Sequence, residues 1–347
     1  MHSGRGGTAC GRAEGLLRGL YYRMVRLMSG VFGLRGAESL AAFLSLLRRA
    51  GGSLSPGGSA SMYSGHLARI FPDRDGHFRT RVVRGFWRTH QRAMLGLFAC
   101  GRYPADVMLD RVEWAGRDVL DTALSEGSGV LLLVPHFGDE RTLHILLAMS
   151  GYPVHVISSG YEDAPEVVRR TRLGASRMWH HTGLAGENPR WMFEALGGGE
   201  IVQFAPTAYG GPKGSWVELF GAPVLAPSTP FRLHRATGCR MVLGVNHALR
   251  GMRYRLEFRP FTCRAGEPEF SAELFRLVEE AGRKSPEQYN WMTYCIRHRE
   301  TNTMCRIGSI PADERELEAL SVPGDGSPDL VRTLREVEEA LGRGTSS

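Results

Sequence analysis

The hydrophobic pattern divides the chain into a helical N-terminal part and a longer part where two periodicities alternate. Between residues 13 and 32, Leu16, Leu17, Leu20, Tyr21, Met24, Leu27, Met28, Val31 and Phe32 fill one half of a helical wheel; Arg12, Arg18, Arg23 and Arg26 fall on the other. A basic amphipathic helix of this kind suits the surface of an anionic membrane, and it equally suits packing on a core with the arginines solvated. Residues 51–61 (GGSLSPGGSAS) read as a Gly/Ser/Pro linker. A second helical region covers about residues 65–98 and breaks at Phe71-Pro72-Asp73.

From Gly129 onward, short apolar runs alternate with helical patterns. Val130–Val134, Val154–Ser158, Ile201–Phe204, Met241–Val245 and Tyr254–Phe258 predict strands, and 141–149, 163–178, 189–196 and 229–237 predict helices. That alternation implies an α/β fold, a central and mostly parallel sheet flanked by helices and preceded by N-terminal amphipathic helices. The expected organisation is membrane-docking helices over 1–50, the linker, an α/β domain over 62–307, and a polar appendage over 308–347 with one short helix at 328–342. The longest stretch free of Asp, Glu, Lys and Arg, Thr142 to Tyr161, is about long enough to span a bilayer. It holds His144, His155 and the breaker Gly151-Tyr152-Pro153, so it reads as helix, turn, strand.

Composition adds a core and a charge. With 42% hydrophobic and 23% charged residues the chain can bury a sizeable interior, and its formal net charge is +7. The excess is arginine, since Lys213 and Lys284 are the sole lysines. Anionic partners are favoured, although the arginines are too dispersed to suggest nucleic acid. Arg169, Arg170 and Arg172, with Arg177, share the helix predicted at 163–178; they suit a phosphate or an acidic carrier, or a solvated face. The six cysteines contain no C-x-x-C pair, which argues against a zinc site and a disulfide scaffold and fits a reducing compartment. The N-terminus lacks the unbroken apolar core of a secretory signal. The glycine-rich stretches at 197–199 and 210–214 fit no nucleotide-binding motif. His180-His181 lacks partners at ligand spacing, and Ser158-Ser159 stands in no nucleophile elbow.

The most informative junction is Leu131-Leu132-Leu133-Val134-Pro135-His136-Phe137-Gly138-Asp139-Glu140. An apolar strand ends at a proline and a histidine follows just before a helix, at the end of a strand where α/β sheets bind ligands. Asp139 and Glu140 provide an acid to orient the imidazole, so the parts of a general base are present. The same residues also compose a helix-capping turn, with Asp139 as the cap and His136 a bystander.

This junction resembles the H-F-G-x-x-[ED] block of the bacterial lipid A lauroyl/myristoyl acyltransferase family, within the lysophospholipid acyltransferase superfamily. Other blocks follow in order across residues 60–300: Ile70-Phe71-Pro72-Asp73 with Gly85-Phe86-Trp87, then Trp216-Val217-Glu218-Leu219-Phe220-Gly221-Ala222-Pro223, then Thr229 to Gly238 with Val242 to Val245. Ser285-Pro286-Glu287-Gln288-Tyr289-Asn290-Trp291-Met292 is similar to the family's P-E-Q-[WY]-x-W-M and is the most specific block. Within it, Glu287 and Trp291 are expected to pack rather than to touch substrate.

The resemblance implies acyl transfer from a thioester (an acyl carrier protein or coenzyme A) to a hydroxyl of a lipid or glycolipid, with no metal or organic cofactor. It places the protein peripherally on the cytoplasmic face of the inner membrane. His136 would be the general base, with Glu140 or Asp139 as its acid. Phe137 and Gly138, through their backbone N–H groups, together with Arg141 and Thr229, become candidates for substrate contact. Three departures stand out. Arg141 holds the position of the family's acid, five after the histidine, and Glu140 falls one short. An arginine expected near Ser158-Ser159-Gly160-Tyr161 and an aspartate expected within Pro206-Thr207-Ala208-Tyr209 are missing. These departures favour an alternative, a non-catalytic relative that binds lipid or an acyl carrier.

Overall fold

The computed structural model describes residues 36–46 and a few positions from 27 to 34, then 67–157 apart from 69, 178–181, 190–207, 214–262, 266–291, 295–297 and 304–306. Most of the helix expected at 13–32, the linker, Arg169, Arg170, Arg172 and the 308–347 appendage lie outside the described residues.

The helices are Gly76–Cys100 (α1), Ala105–Leu109 (α2), Arg117–Ser125 (α3), Glu140–Met149 (α4), Arg190–Gly197 (α5), Thr229–Thr237 (α6) and Glu267–Lys284 (α7). The main sheet uses Val112–Ala115 (β1), Val130–Leu133 (β2), Val154–Ile157 (β3), Met178–His181 (β4), Ile201–Phe204 (β5), Arg240–Leu249 (β8) and Arg253–Phe261 (β9), in the order β1-β9-β8-β2-β5-β3-β4. Two small antiparallel pairs stand apart: Gly214–Leu219 (β6) with Ala222–Pro227 (β7), and Cys295–Arg297 (β10) with Met304–Arg306 (β11).

Every pairing in the main sheet is parallel except β8 with β9. Those two strands are joined by a tight turn, whereas parallel neighbours need crossover segments. The β2 strand lies at the centre and is buried on both faces. Leu131 and Leu133 enter one hydrophobic core, with α5, α7 and the hairpin β6–β7. Val130 and Leu132 enter the other, with α3, α4 and the helical segment 36–46. Alternate residues of one strand thus feed two cores, as its period of two requires.

Helix α1 belongs to both layers. Val82, Val83, Phe86 and Trp87 join the first core, and Met94, Leu95, Leu97 and Phe98 join the second. It starts at Asp75, whose carboxylate accepts a hydrogen bond from Phe78 N at 2.7 Å. Crossing from one layer to the other, it packs on α4 and passes beside the end of β2, where the candidate chemistry lies.

The strands expected near β2, β3, β5, β8 and β9 are present, as are the helices expected near α4, α5 and α6. One boundary is corrected: Met178, expected to end a helix, opens β4 because it pairs with Val154 in the parallel ladder to β3. β1, β4, the β6–β7 hairpin and α7 were not among the expected elements.

Candidate active site

The site is built on the loop that leaves β2. Val134 N still bonds Phe204 O at 2.8 Å, and then Pro135, lacking an N–H, ends the ladder. Phe137 N donates back to Pro135 O at 2.7 Å, closing a three-residue turn centred on His136. The next residues are held from two sides. Gly138 N donates to Gln288 O at 2.7 Å, Asp139 N to Asn246 O at 2.9 Å, and Asn290 N to His136 O at 2.9 Å. His136 N also faces Thr207 Oγ1 at 3.4 Å. Gly138 has φ +64°, and a Cβ built there would lie 1.9 Å from Asn246 O. Only glycine combines that dihedral with so close an approach.

Asp139 then starts α4. It is the N-cap, with Oδ1 accepting from Thr142 N at 3.2 Å. Glu140 is consequently the first helical residue, and its Oε1 reaches 3.7 Å from His136 Nδ1. That is ion-pair range and longer than a hydrogen bond. Catalytic hydrogen bonds are often long without substrate and tighten around it. His136 Nδ1 is buried and has no hydrogen-bond partner, so the Glu140 carboxylate is the group it meets. The bent path through Gly138 brings an acid four residues on within range of the imidazole.

The two acids differ in their electrostatics. Burial alone would raise Glu140; the contact with His136 and the charge of Arg141, 4.0 Å from Oε1, outweigh it and hold the carboxyl below its ordinary value. Asn290 Nδ2 adds a weak approach to the same oxygen at 3.5 Å. Asp139 is fully buried and its Oδ2 has no partner; burial first, and the Glu140 charge second, push it up to about 7. Neighbouring carboxyls with diverging values divide the work, Glu140 being ionised near neutral pH and Asp139 a cap that still carries a proton part of the time.

That division has a measurable consequence for stability. An Asp139 value raised from 3.8 to about 7 means that the folded chain keeps a proton which the unfolded chain releases in that window. Stability from this group therefore falls as pH rises through the window, by up to roughly 4 kcal/mol. Glu140, held low, acts in the opposite sense and loses its contribution as pH falls. Asparagine at 139 preserves the cap and cannot ionise. Asp139→Asn is expected to flatten the decline in denaturation free energy between pH 5 and 8; parallel wild-type and variant curves would refute the assignment.

Beside the pair is a narrow recess, partly open to solvent, whose walls include Thr89 and His90 of α1, Glu140, Arg141 and Asn290. Arg141 lines it and sets Nη1 2.7 Å from Met94 Sδ. The other expected contacts are placed differently. The Phe137 ring is buried edge-on against His247, at 5.4 Å between centroids. The N–H groups of Phe137 and Gly138, expected as oxyanion donors, are engaged by Pro135 O and Gln288 O. Thr229 opens α6, is buried, and belongs to the part of the fold packed on α5.

The closing block is the outer brace of the loop. Trp291 Nε1 bonds Pro286 O at 2.8 Å, and the Phe220 ring stands 5.0 Å from that of Tyr289 and 5.1 Å from that of Trp291. Phe220 forms the β6–β7 turn with φ +54°, pinned by its N–H to Glu279 Oε2 at 2.6 Å. A Cβ at Gly85 would lie 2.5 Å from Glu287 Cβ, so this block also presses on α1. Glu287 and Trp291 pack, and Gln288 and Asn290 hold the His136 loop. These two and Asn246 were absent from the sequence-level candidates. The signal available for Asn246 was a lone amide inside the apolar run Met241–Leu249.

Among the described residues no group of three or more His, Cys, Asp or Glu could hold a metal ion, and no helix is long and apolar enough to cross a membrane. Residues 58–296 match the family model for bacterial lipid A biosynthesis acyltransferase. A curated lipid A biosynthesis acyltransferase of Haemophilus influenzae is 23% identical over 244 residues, covering 68% of this chain and 74% of that protein. The family-model match over most of the chain establishes that the chain belongs to the bacterial lipid A biosynthesis acyltransferase family.

Proposed function

We propose that this chain transfers a fatty acyl group from a thioester donor, acyl carrier protein or coenzyme A, to a hydroxyl of a lipid or glycolipid. The observation that carries the reading is the approach of Glu140 to His136 in a loop braced by the family's own motif block. With Nδ1 turned to Glu140, His136 Nε2 is the nitrogen that accepts the proton of the acceptor hydroxyl. The hydroxyl oxygen then attacks the thioester carbonyl and forms the new C–O bond. Ionised Glu140 stabilises the imidazolium. As the C–S bond breaks, the leaving thiolate takes that proton back. Arg141, in the same recess, brings a guanidinium to the developing oxyanion.

The protein works peripherally, on the cytoplasmic face of the inner membrane. In support, Leu27 and Val31 of the amphipathic segment are exposed, as are Phe43 and Leu46 of the next helical stretch. The test of reaction class is release of free thiol from acyl carrier protein and coenzyme A thioesters, with and without a bacterial glycolipid extract. Acceptor-dependent thiol release is expected. Tight binding of donor or lipid with no release above the uncatalysed rate would replace the enzyme by a binding relative.

A further inference from the structure

Asn246 is fully buried in the middle of β8, among Val242, Leu243, Val245 and Ala248. An amide placed in such a run is unfavourable unless it is hydrogen-bonded. Its bonds leave the sheet: Nδ2 donates to Asp139 O at 2.7 Å and to Thr142 Oγ1 at 2.9 Å. A carbonyl oxygen can only accept, so the amide orientation is fixed by Asp139 O. The main chain of the same residue accepts from Asp139 N at 2.9 Å and bounds Gly138, where a Cβ would lie 1.9 Å from its oxygen. Gly138 and Asp139 belong to the segment that separates His136 from Glu140, and Thr142 closes the first turn of α4.

We infer that Asn246 is a positioning residue for the His136–Glu140 pair, holding the intervening chain on the short path that lets Glu140 face the imidazole. The inference rests on reading His136 as the base and Glu140 as its acid. Without the two donors, Asp139 O loses its side-chain partner on β8 and the first turn of α4 is free to draw Glu140 away. No substrate atom needs to meet Asn246, so its effect belongs in kcat, through Glu140.

The test uses Asn246→Leu, which keeps the branched outline of the side chain with somewhat more bulk and removes both donors, and Thr142→Val, which removes one acceptor and keeps shape. Asn246→Leu is expected to lower kcat by about 10²-fold with KM within about twofold, and Thr142→Val by a smaller factor. Combining either with Glu140→Gln is expected to add little beyond Glu140→Gln alone, because all act on one interaction. A second readout needs no turnover: the imidazole NMR signal missing in His136→Ala is expected to move in both variants toward its position in Glu140→Gln. An unmoved signal together with losses that multiply would leave Asn246 a core residue and overturn the inference; Thr142→Val alone gives that decision if Asn246→Leu does not fold. Full transfer by His136→Ala would instead sink the catalytic reading, and the His136 signal would still decide whether Asn246 positions that side chain.

Discussion

His136→Ala is expected to remove nearly all acyl transfer while leaving the fold intact, because the loop's backbone contacts at His136 persist without the side chain. Glu140→Gln is expected to lower turnover by a factor on the order of 10²–10⁴, the usual scale for acid–base groups. Glutamine retains an oxygen near Nδ1 and loses the charge that stabilises the imidazolium, so the loss should fall mainly on kcat. Asp139→Asn should cost much less, since the cap survives and the carboxylate that faces His136 belongs to Glu140. The ranking His136, Glu140, Asp139 separates the geometry from a mere requirement for acidity. Equal losses at 139 and 140, measured by steady-state thiol release, would contradict it.

Gly138→Ala should produce the largest change in stability. The new Cβ would lie 1.9 Å from the Asn246 carbonyl oxygen and 3.2 Å from Gln288 Oε1, in a backbone with φ +64°. The left-handed conformation costs an L-residue about 1–2 kcal/mol. A main-chain oxygen cannot rotate away, so the loop must move and weaken the bonds Gly138 N to Gln288 O and Asp139 N to Asn246 O, each contributing about 1 kcal/mol. The sum is roughly 3–4 kcal/mol of lost stability, with transfer falling alongside as His136 leaves register. Denaturant midpoints of wild type and variant measure the first part. A variant with wild-type stability and turnover would show that the loop does not follow this path.

Much of the framework was legible because β2, β5 and β8 are apolar runs bounded by glycine or proline, and a strand buried on both faces leaves that trace. The edge strands β1 and β4 did not, since Val112–Ala115 is half-exposed and Met178–His181 carries two histidines. The β6–β7 hairpin turns at Phe220-Gly221, where a bulky residue with positive φ is not an ordinary turn signal. Helix α7 does carry helical spacing in Phe270, Leu274 and Val278, so its trace is present in the sequence. At the site, the residue types were legible and the distances were not. Counting along a helix places Glu140 one residue short. The loop closes that gap through contacts with Asn246, 107 residues beyond Asp139, and with Gln288 and Asn290, which no local spacing reveals. The backbone N–H groups of Phe137 and Gly138 looked free for an oxyanion because their acceptors lie on the turn before and the block after.

The central claim, that His136 with Glu140 transfers an acyl group to a lipid hydroxyl, is tested most directly by mass spectrometry. Wild-type protein and the variants His136→Ala and Glu140→Gln would be incubated with a ¹³C-labelled acyl thioester and glycolipid acceptor. Wild type is expected to yield a lipid heavier by one labelled acyl group, released by mild alkali as an ester is, with the product absent for His136→Ala and strongly reduced for Glu140→Gln. Equal labelling by wild type and His136→Ala, or an unlabelled lipid with all three, would contradict the account.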